Sequence, residues 1–160
     1  MDEVYYGHAL SYARDRRPGL AARYARKAAQ LNPENRKARI LLGVCLYELG
    51  DIDGALGFLD ASAELMESAA ADLARLRKAI AGVRYLAKQG KLRKADLILG
   101  ALKHQSVRVL TIRGCLHAAA GRYRTASVFF SRALDKDKGN IRAAELLSDS
   151  VVRSIRRDRH

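Results

Sequence analysis

Hydrophobic residues recur along the chain in helix-length blocks broken by short polar or glycine-bearing turns, and the pattern predicts nine helices. They run over about 3–16, 20–31, 36–49, 52–67, 71–89, 92–103, 106–120, 122–136 and 140–157. The last block, NIRAAELLSDSVVRSIRRDR, places Ile141, Ala144, Leu147, Val151, Val152 and Ile155 on one stripe. That stripe is expected to cover the exposed end of the preceding helices, leaving the polar face outward as a terminal cap. The stretch AELMESAAADLARLRKAIAGVRYLAKQ, residues 63–89, has no proline and few turn signals, so extended helices or a shifted register are expected there.

The segment LLGVCLYELGDIDGALGFLD, residues 41–60, carries four glycines in otherwise helical sequence. Each costs about 1 kcal/mol relative to alanine inside a helix. Internal repetition supplies the reason. A shift of 71 residues brings Gly43 onto Gly114, Gly50 onto Gly121, Ala55 onto Ala126 and Leu59 onto Phe130. A shift of 40 brings Leu46 onto Leu86, Gly50 onto Gly90, Ala55 onto Ala95 and Leu59 onto Leu99. Upstream, at a spacing of 34, Tyr12, Ala21 and Ala28 take the places of Leu46, Ala55 and Ser62. Gly50, Gly90 and Gly121 each follow an apolar run and precede another, which predicts left-handed residues at helix ends. Gly43 and Gly114 are predicted where two helices approach most closely. Gly54 and Gly57 have no such clear role, beyond close packing or a weakened helical turn.

This pattern resembles the tetratricopeptide repeat, a 34-residue helix-turn-helix with the signature W-x2-L-G-x2-Y…A-x3-F…P. The best copy has Leu42-Gly43-x2-Leu46 followed by Ala55-x3-Leu59, and the first copy supplies Tyr5, Ala9, Tyr12, Ala21 and the LNP ending of Leu31 to Pro33. The resemblance covers about residues 2–138. Departures are Arg39 at the signature aromatic, His117 at the tyrosine, and no closing proline in the last three copies. The resemblance implies an all-α fold, a right-handed superhelical stack of antiparallel helical hairpins with a C-terminal capping helix. It implies one domain over 1–160, with repeats at about 2–35, 36–69, 70–106 and 107–139 and the final helix at 140–157.

Composition agrees with helices: alanine, leucine and arginine dominate, and there are two prolines and no tryptophan. The acidic start MDEVYYGHAL does not read as a secretory signal, and no apolar run approaches the length of a membrane span, so a cytoplasmic protein is expected. Cys45 and Cys115 are expected to be reduced and buried. His8, His104, His117 and His160 are scattered, with no metal-ligand spacing, and His8 and His117 are expected to pack. Phosphate-binding glycine loops and nucleophile elbows are missing too, so neither a cofactor nor an enzymatic activity is expected.

Charge changes the picture more. The chain carries a net +13, and its excess lies in the second half. Residues 36–75 hold four basic and seven acidic side chains, whereas 76–140 hold fifteen basic and three acidic. Much of this is compatible with solvated helix faces. In the family it resembles, however, one face of each first helix lines a concave groove. Threading that register places Tyr6, Leu10, Lys37, Ile40, Val44, Tyr47, Arg77, Ile80, Arg84, Lys88, Arg108 and Thr111 in or near it. Its wall is apolar and aromatic first, then basic. Such a groove suits an amphipathic helix or extended peptide with acidic residues at one end, anchored on Tyr6, Ile40, Val44 and Tyr47 and oriented by Arg77, Arg84 and Lys88.

The resemblance therefore implies a non-catalytic protein-interaction module, an adaptor, scaffold or co-chaperone-like protein. The carboxylate clamp of chaperone-binding members is not expected, because Leu10 and Val44 stand at its asparagine places and Tyr6 at its first lysine. A nucleic-acid or ribosome-associated role is the rival that the net charge motivates. It is the weaker one, since aromatics are not interleaved with the basic run beyond Tyr85 and Tyr123. A third reading is self-association through the ends of the array.

Overall fold

The computed structural model describes residues 1–58 and 63–157. The repeat positions Leu59 and Ser62 and the chain-end His160 lie outside them. The described residues form helices and no strands: α1 Asp2–Arg14, α2 Pro18–Leu31, α3 Arg36–Leu49, α4 Ile52–Phe58, α5 Ala63–Lys88, α6 Leu92–Gly100, α7 Val107–Ala119, α8 Tyr123–Lys136 and α9 Ile141–Arg157. Short turns join most of them, which makes sequential helices antiparallel neighbours.

Local chemistry explains most boundaries. Pro18 opens α2, where its missing N–H leaves no bond unmade. Asn35 and Ser106 cap α3 and α7, their side chains accepting from the backbone N–H of Ala38 at 3.0 Å and of Val109 at 3.3 Å. Asn140 caps α9 in the same way through Ala143. Ser106 is fully buried, so its hydroxyl has no replacement from water. Ser106→Ala should therefore lower stability by about 1 kcal/mol, measured as a shift of the urea midpoint at unchanged slope. Helix α6 stops short of the expected residue 103 because the Gln105 amide takes over two end carbonyls, donating to Leu99 O at 2.9 Å and Leu102 O at 2.8 Å.

Gly50, Gly90 and Gly121 have φ of 82°, 71° and 70°, the left-handed conformation predicted for helix ends. Gly114 is a close-approach residue, as expected. A Cβ there would enter the ring of Phe130, with Cδ1 at 2.7 Å and Cζ at 2.8 Å. Gly54 also fits close packing, since a Cβ would meet Asp51 Oδ2 at 2.8 Å and Leu46 Cδ1 at 3.0 Å. A Cβ on Gly57 would meet nothing, and nothing in the structure explains that glycine.

One predicted boundary is wrong. The break expected between residues 67 and 71 is absent, and α5 is continuous from Ala63 to Lys88. Its composition explains this: Ala, Glu, Leu, Met, Arg and Lys dominate, and nothing near residue 70 breaks a helix.

The chain divides into two compact units, residues 1–73 with 136–139, and residues 74–135 with 140–160. In the first, α1 packs on α2, α2 on α3 and α3 on α4. Its core is built from small residues, Ala9, Ala21, Ala25, Ala28 and Ala38, beneath Leu42 and Leu46. Asp2 ties the start of α1 to the next turn, its Oδ2 accepting from Asn32 at 3.0 Å and Asn35 at 3.1 Å. The Asn32 bond, followed by that of Asn35, holds the Asp2 carboxyl below the usual carboxylate range. Residues 136–139 join this unit through Lys138 N–H, which donates to Arg16 O at 2.9 Å. In the second unit α6 packs on α7, and Phe130, Leu99, Leu110 and Val109 are its fully buried large side chains. Consecutive helix packing within each unit is the arrangement of a helical-repeat α-solenoid.

Candidate functional site

In the first unit the predicted face rises from α1 and α3. Tyr6 and Leu10 are one turn apart on α1, and both are half-buried. On α3, Lys37, Ile40, Val44 and Tyr47 follow each other by three or four residues, the spacing that keeps side chains on one face. Lys37 is exposed, Val44 is 40% exposed, and Ile40 and Tyr47 are half-buried. Ile40 borders a cavity of about 420 Å³ together with Arg36, Arg39 and Phe58. Tyr47 Oη lies 3.3 Å from Asp72 Oδ2 and donates to it, which fixes the ring against α5. Burial, followed by the Asp72 charge, raises the Tyr47 pKa, so the phenol stays protonated and keeps donating at neutral pH. A half-buried aromatic held by a hydrogen bond is a preorganised contact, because little side-chain freedom is left to lose on binding.

In the second unit Arg77, Arg84 and Lys88 are exposed along α5, and Arg108 is exposed on α7. Ile80 is only 7% exposed and belongs to the core with Leu76, Ala79 and Val83, so it offers a ligand little surface. Thr111 is half-buried, and its hydroxyl donates to Val107 O at 2.8 Å. The structure thus presents an apolar and aromatic face in the first unit and basic positions in the second.

A buried polar cluster that sequence reasoning did not assemble lies in the second unit. Arg113 Nε donates to Asp96 Oδ1 at 2.7 Å and Nη2 to Oδ2 at 3.3 Å, a two-pronged pair between α7 and α6. Arg113 Nη1 also donates to Gln105 Oε1 at 3.3 Å, and its guanidinium lies 4.3 Å from the Phe129 ring centre. His117 Nε2 is 3.2 Å from Asp96 Oδ2, and its ring stacks on Phe129 with centroids 5.1 Å apart. Burial works to raise the Asp96 pKa, but the hydrogen bond and charge of Arg113, with His117 behind them, outweigh it and hold the carboxyl low. His117 Nδ1 is buried without a hydrogen-bond partner. One carboxylate joins α6 to α7, with Phe129 of α8 packed against Arg113 and His117, and His117 is the packed histidine that was expected. The only signal for it in the sequence was Arg113 and His117 four residues apart on one helix.

The remaining expectations divide, with Cys45 as expected and Cys115, His8 and α9 otherwise. Cys45 is buried, and burial followed by the Glu48 charge pushes its thiol up to about 11. Cys115, expected to be buried, is exposed. It follows Gly114 by one residue, and a 100° turn of the helix carries it off the close-approach face. His8 is exposed as well, although its ring lies 5.6 Å from that of Tyr24. On α9 the expected packing is turned around. Ala143 and Ser150 are buried, whereas Ile141, Val151, Val152 and Ile155 are 75%, 41%, 44% and 49% exposed. Small side chains let the helix come close, and that contact was won at the cost of leaving its branched residues outside.

Among the described residues, no cluster of three His, Cys, Asp or Glu could hold a metal ion, and no helix is long and apolar enough to cross a membrane. No curated protein matches the chain. Residues 12–81 match the family model of the tetratricopeptide repeat, a stretch that contains α3, the Gly50 corner and most of the apolar face. Repeats of this family generally mediate protein–protein interaction and are typically non-catalytic. Helical hairpins in consecutive contact within each unit, left-handed glycines at their corners and the match over residues 12–81 make this chain similar to the tetratricopeptide repeat, in a divergent form.

Proposed function

We propose that the protein is a non-catalytic adaptor that holds a segment of a partner protein against the first-helix faces, with Tyr6, Leu10, Ile40, Val44 and Tyr47 receiving its apolar side chains. The observation that carries this reading is the α3 face: four positions at helical spacing, accessible to differing degrees, with Tyr47 held in place by Asp72. Apolar and aromatic groups of this kind supply most of the free energy when a helix or extended peptide is bound. The exposed Arg77, Arg84 and Lys88 on α5, in a chain of net charge +13, favour a segment rich in acidic residues.

Acidic peptides selected from a displayed library against the intact chain test the reading. Val44→Asp introduces a charge at an exposed position and should weaken capture by about tenfold or more without loss of helicity, as removal of a central apolar contact does. Reversal of Arg84 and Lys88 to glutamate should weaken it less, and mainly at low salt. If binding survives Val44→Asp and falls steeply with salt for any polyanion, the protein is a nucleic-acid binder and the adaptor reading fails.

A further inference from the structure

The second unit holds a cavity of about 280 Å³ that shares no residue with the first-helix faces. Arg122, Arg124 and Thr125 line it from the start of α8, and Ser154 and Arg157 line it from the last turns of α9. None of its lining residues is acidic. Three cationic side chains from two helices around one small volume make its potential strongly positive, and a concave shape concentrates that field.

Arg157 is fixed at this cavity. It donates to Gly121 O, and its Nη1 lies 3.0 Å from where a Cβ on Gly121 would stand. That bond engages one nitrogen, and the guanidinium keeps further N–H groups for a ligand. Ser154 Oγ donates to Val151 O at 2.8 Å, which leaves the exposed Thr125 as the hydroxyl donor at hand. Within α9, Asp149 is engaged by Arg153 Nε at 2.8 Å and does not line the cavity. The backbone N–H groups of Tyr123, Arg124 and Thr125 precede the first intrahelical bond of α8, from Ala126 N to Arg122 O at 3.0 Å, and so add donors without an acceptor in the helix.

We propose that this cavity binds a phosphate group, free or carried as a monoester. Charge selects the class, since a phosphate carries nearly two negative charges at neutral pH where a carboxylate carries one. The planar guanidinium fork presents paired N–H groups that match phosphate oxygens. The volume lies just below the range of about 300–1,000 Å³ usual for drug-sized ligands, which suits a charged head group rather than a whole cofactor.

Fluorescence anisotropy with the full chain tests the proposal, using a short labelled peptide of neutral residues that carries one phosphoserine. The same peptide with serine is the control, and inorganic phosphate and a single-stranded oligonucleotide are added as competitors. The phosphopeptide should bind about tenfold or more tightly than its serine counterpart, through the charge-assisted bonds gained. Arg122→Gln and Arg157→Gln, each alone, should weaken it about tenfold, the usual effect of removing one bond to a charged group. Arg132→Gln removes the same charge from an exposed position further along α8 and should leave binding unchanged, as should Val44→Asp. If Arg157→Gln reduces helicity by circular dichroism, Arg122→Gln decides. Displacement by inorganic phosphate as readily as by unlabelled phosphopeptide identifies free phosphate as the occupant, and displacement by the phosphopeptide alone identifies a phosphorylated side chain. Both results uphold the site. Equal binding of the two peptides, no binding at all, undiminished binding by Arg122→Gln, or an equal loss with Arg132→Gln overturns it. An oligonucleotide that displaces the phosphopeptide more readily than inorganic phosphate does, and depends on the same two arginines, would assign the cavity to a nucleic-acid backbone and overturns it too.

Discussion

Phe130→Ala should destabilise the protein by about 3–5 kcal/mol, the usual loss when a fully buried aromatic side chain is removed from a core. The ring is fully buried and lies where a Cβ on Gly114 would stand. The expected loss thus contains both the transfer of a large apolar group and the cavity left between α7 and α8. Gly114→Ala tests the same contact from the other side. The methyl group gains helix propensity of about 1 kcal/mol but collides with a ring that has nowhere to go, and overpacking of this kind costs about 1–3 kcal/mol. Combining Gly114→Ala with Phe130→Leu should lose less than the sum of the single losses, because the smaller side chain vacates the space that the methyl needs. Urea unfolding of the four proteins measures all of this, and strict additivity would show that the two residues do not share that space.

Asp96→Ala should cost about 2–3 kcal/mol. That is below the range of about 3–5 kcal/mol for breaking a fully buried pair, because the Asp96 and Arg113 side chains retain 16% and 17% exposure. The loss comes mainly from what remains, an arginine that loses its two-pronged acceptor and a histidine that loses its partner at Nε2. Since the folded protein holds the Asp96 carboxyl low, the unfolded chain binds its proton more readily in acid. The stabilisation is thus fully present above the ordinary carboxylate range and disappears as pH falls through the lowered pKa of the folded state. Asp96→Asn should flatten that part of the stability–pH curve, while a Ser106→Ala control keeps it. An unchanged curve would mean that the carboxylate gains nothing from Arg113.

Much of the fold was legible because its signals are local. The helix ends at Gly50, Gly90 and Gly121 are marked by a residue type that adopts positive φ at little cost, and each recurs where the repeat requires it. Gly114 was legible as a close contact because the shift that pairs it with Gly43 also aligns the surrounding small and large residues. The uninterrupted α5 was less so: repeat spacing called for a break that no residue in the segment supplies. The Asp96, Arg113 and His117 cluster brings α6 and α7 together across a turn, and no local pattern announces such a pairing.

The candidate surfaces divide along the same line. Lys37, Ile40, Val44 and Tyr47 share a face because helical spacing dictates it, and Ile80 is withdrawn because its side of α5 packs into the second unit. For α9, hydropathy identified the stripe but not the direction in which it points. Ala143, Ser150 and Ser154 were the missing signal, since small residues at i, i+7 and i+11 let a helix approach its neighbour closely and can outcompete a more hydrophobic face.

The central claim is that the α3 face meets a partner protein, and a photo-cross-linking residue placed at position 44 of the full chain reads this directly in nuclease-treated extract of the source cell. Val128, 55% exposed on α8, supplies the matched control position. The account predicts a discrete protein adduct from position 44, absent from position 128 and reduced by Tyr47→Ala. Equal labelling from both positions, or adducts that disappear once nucleic acid is digested, would contradict it.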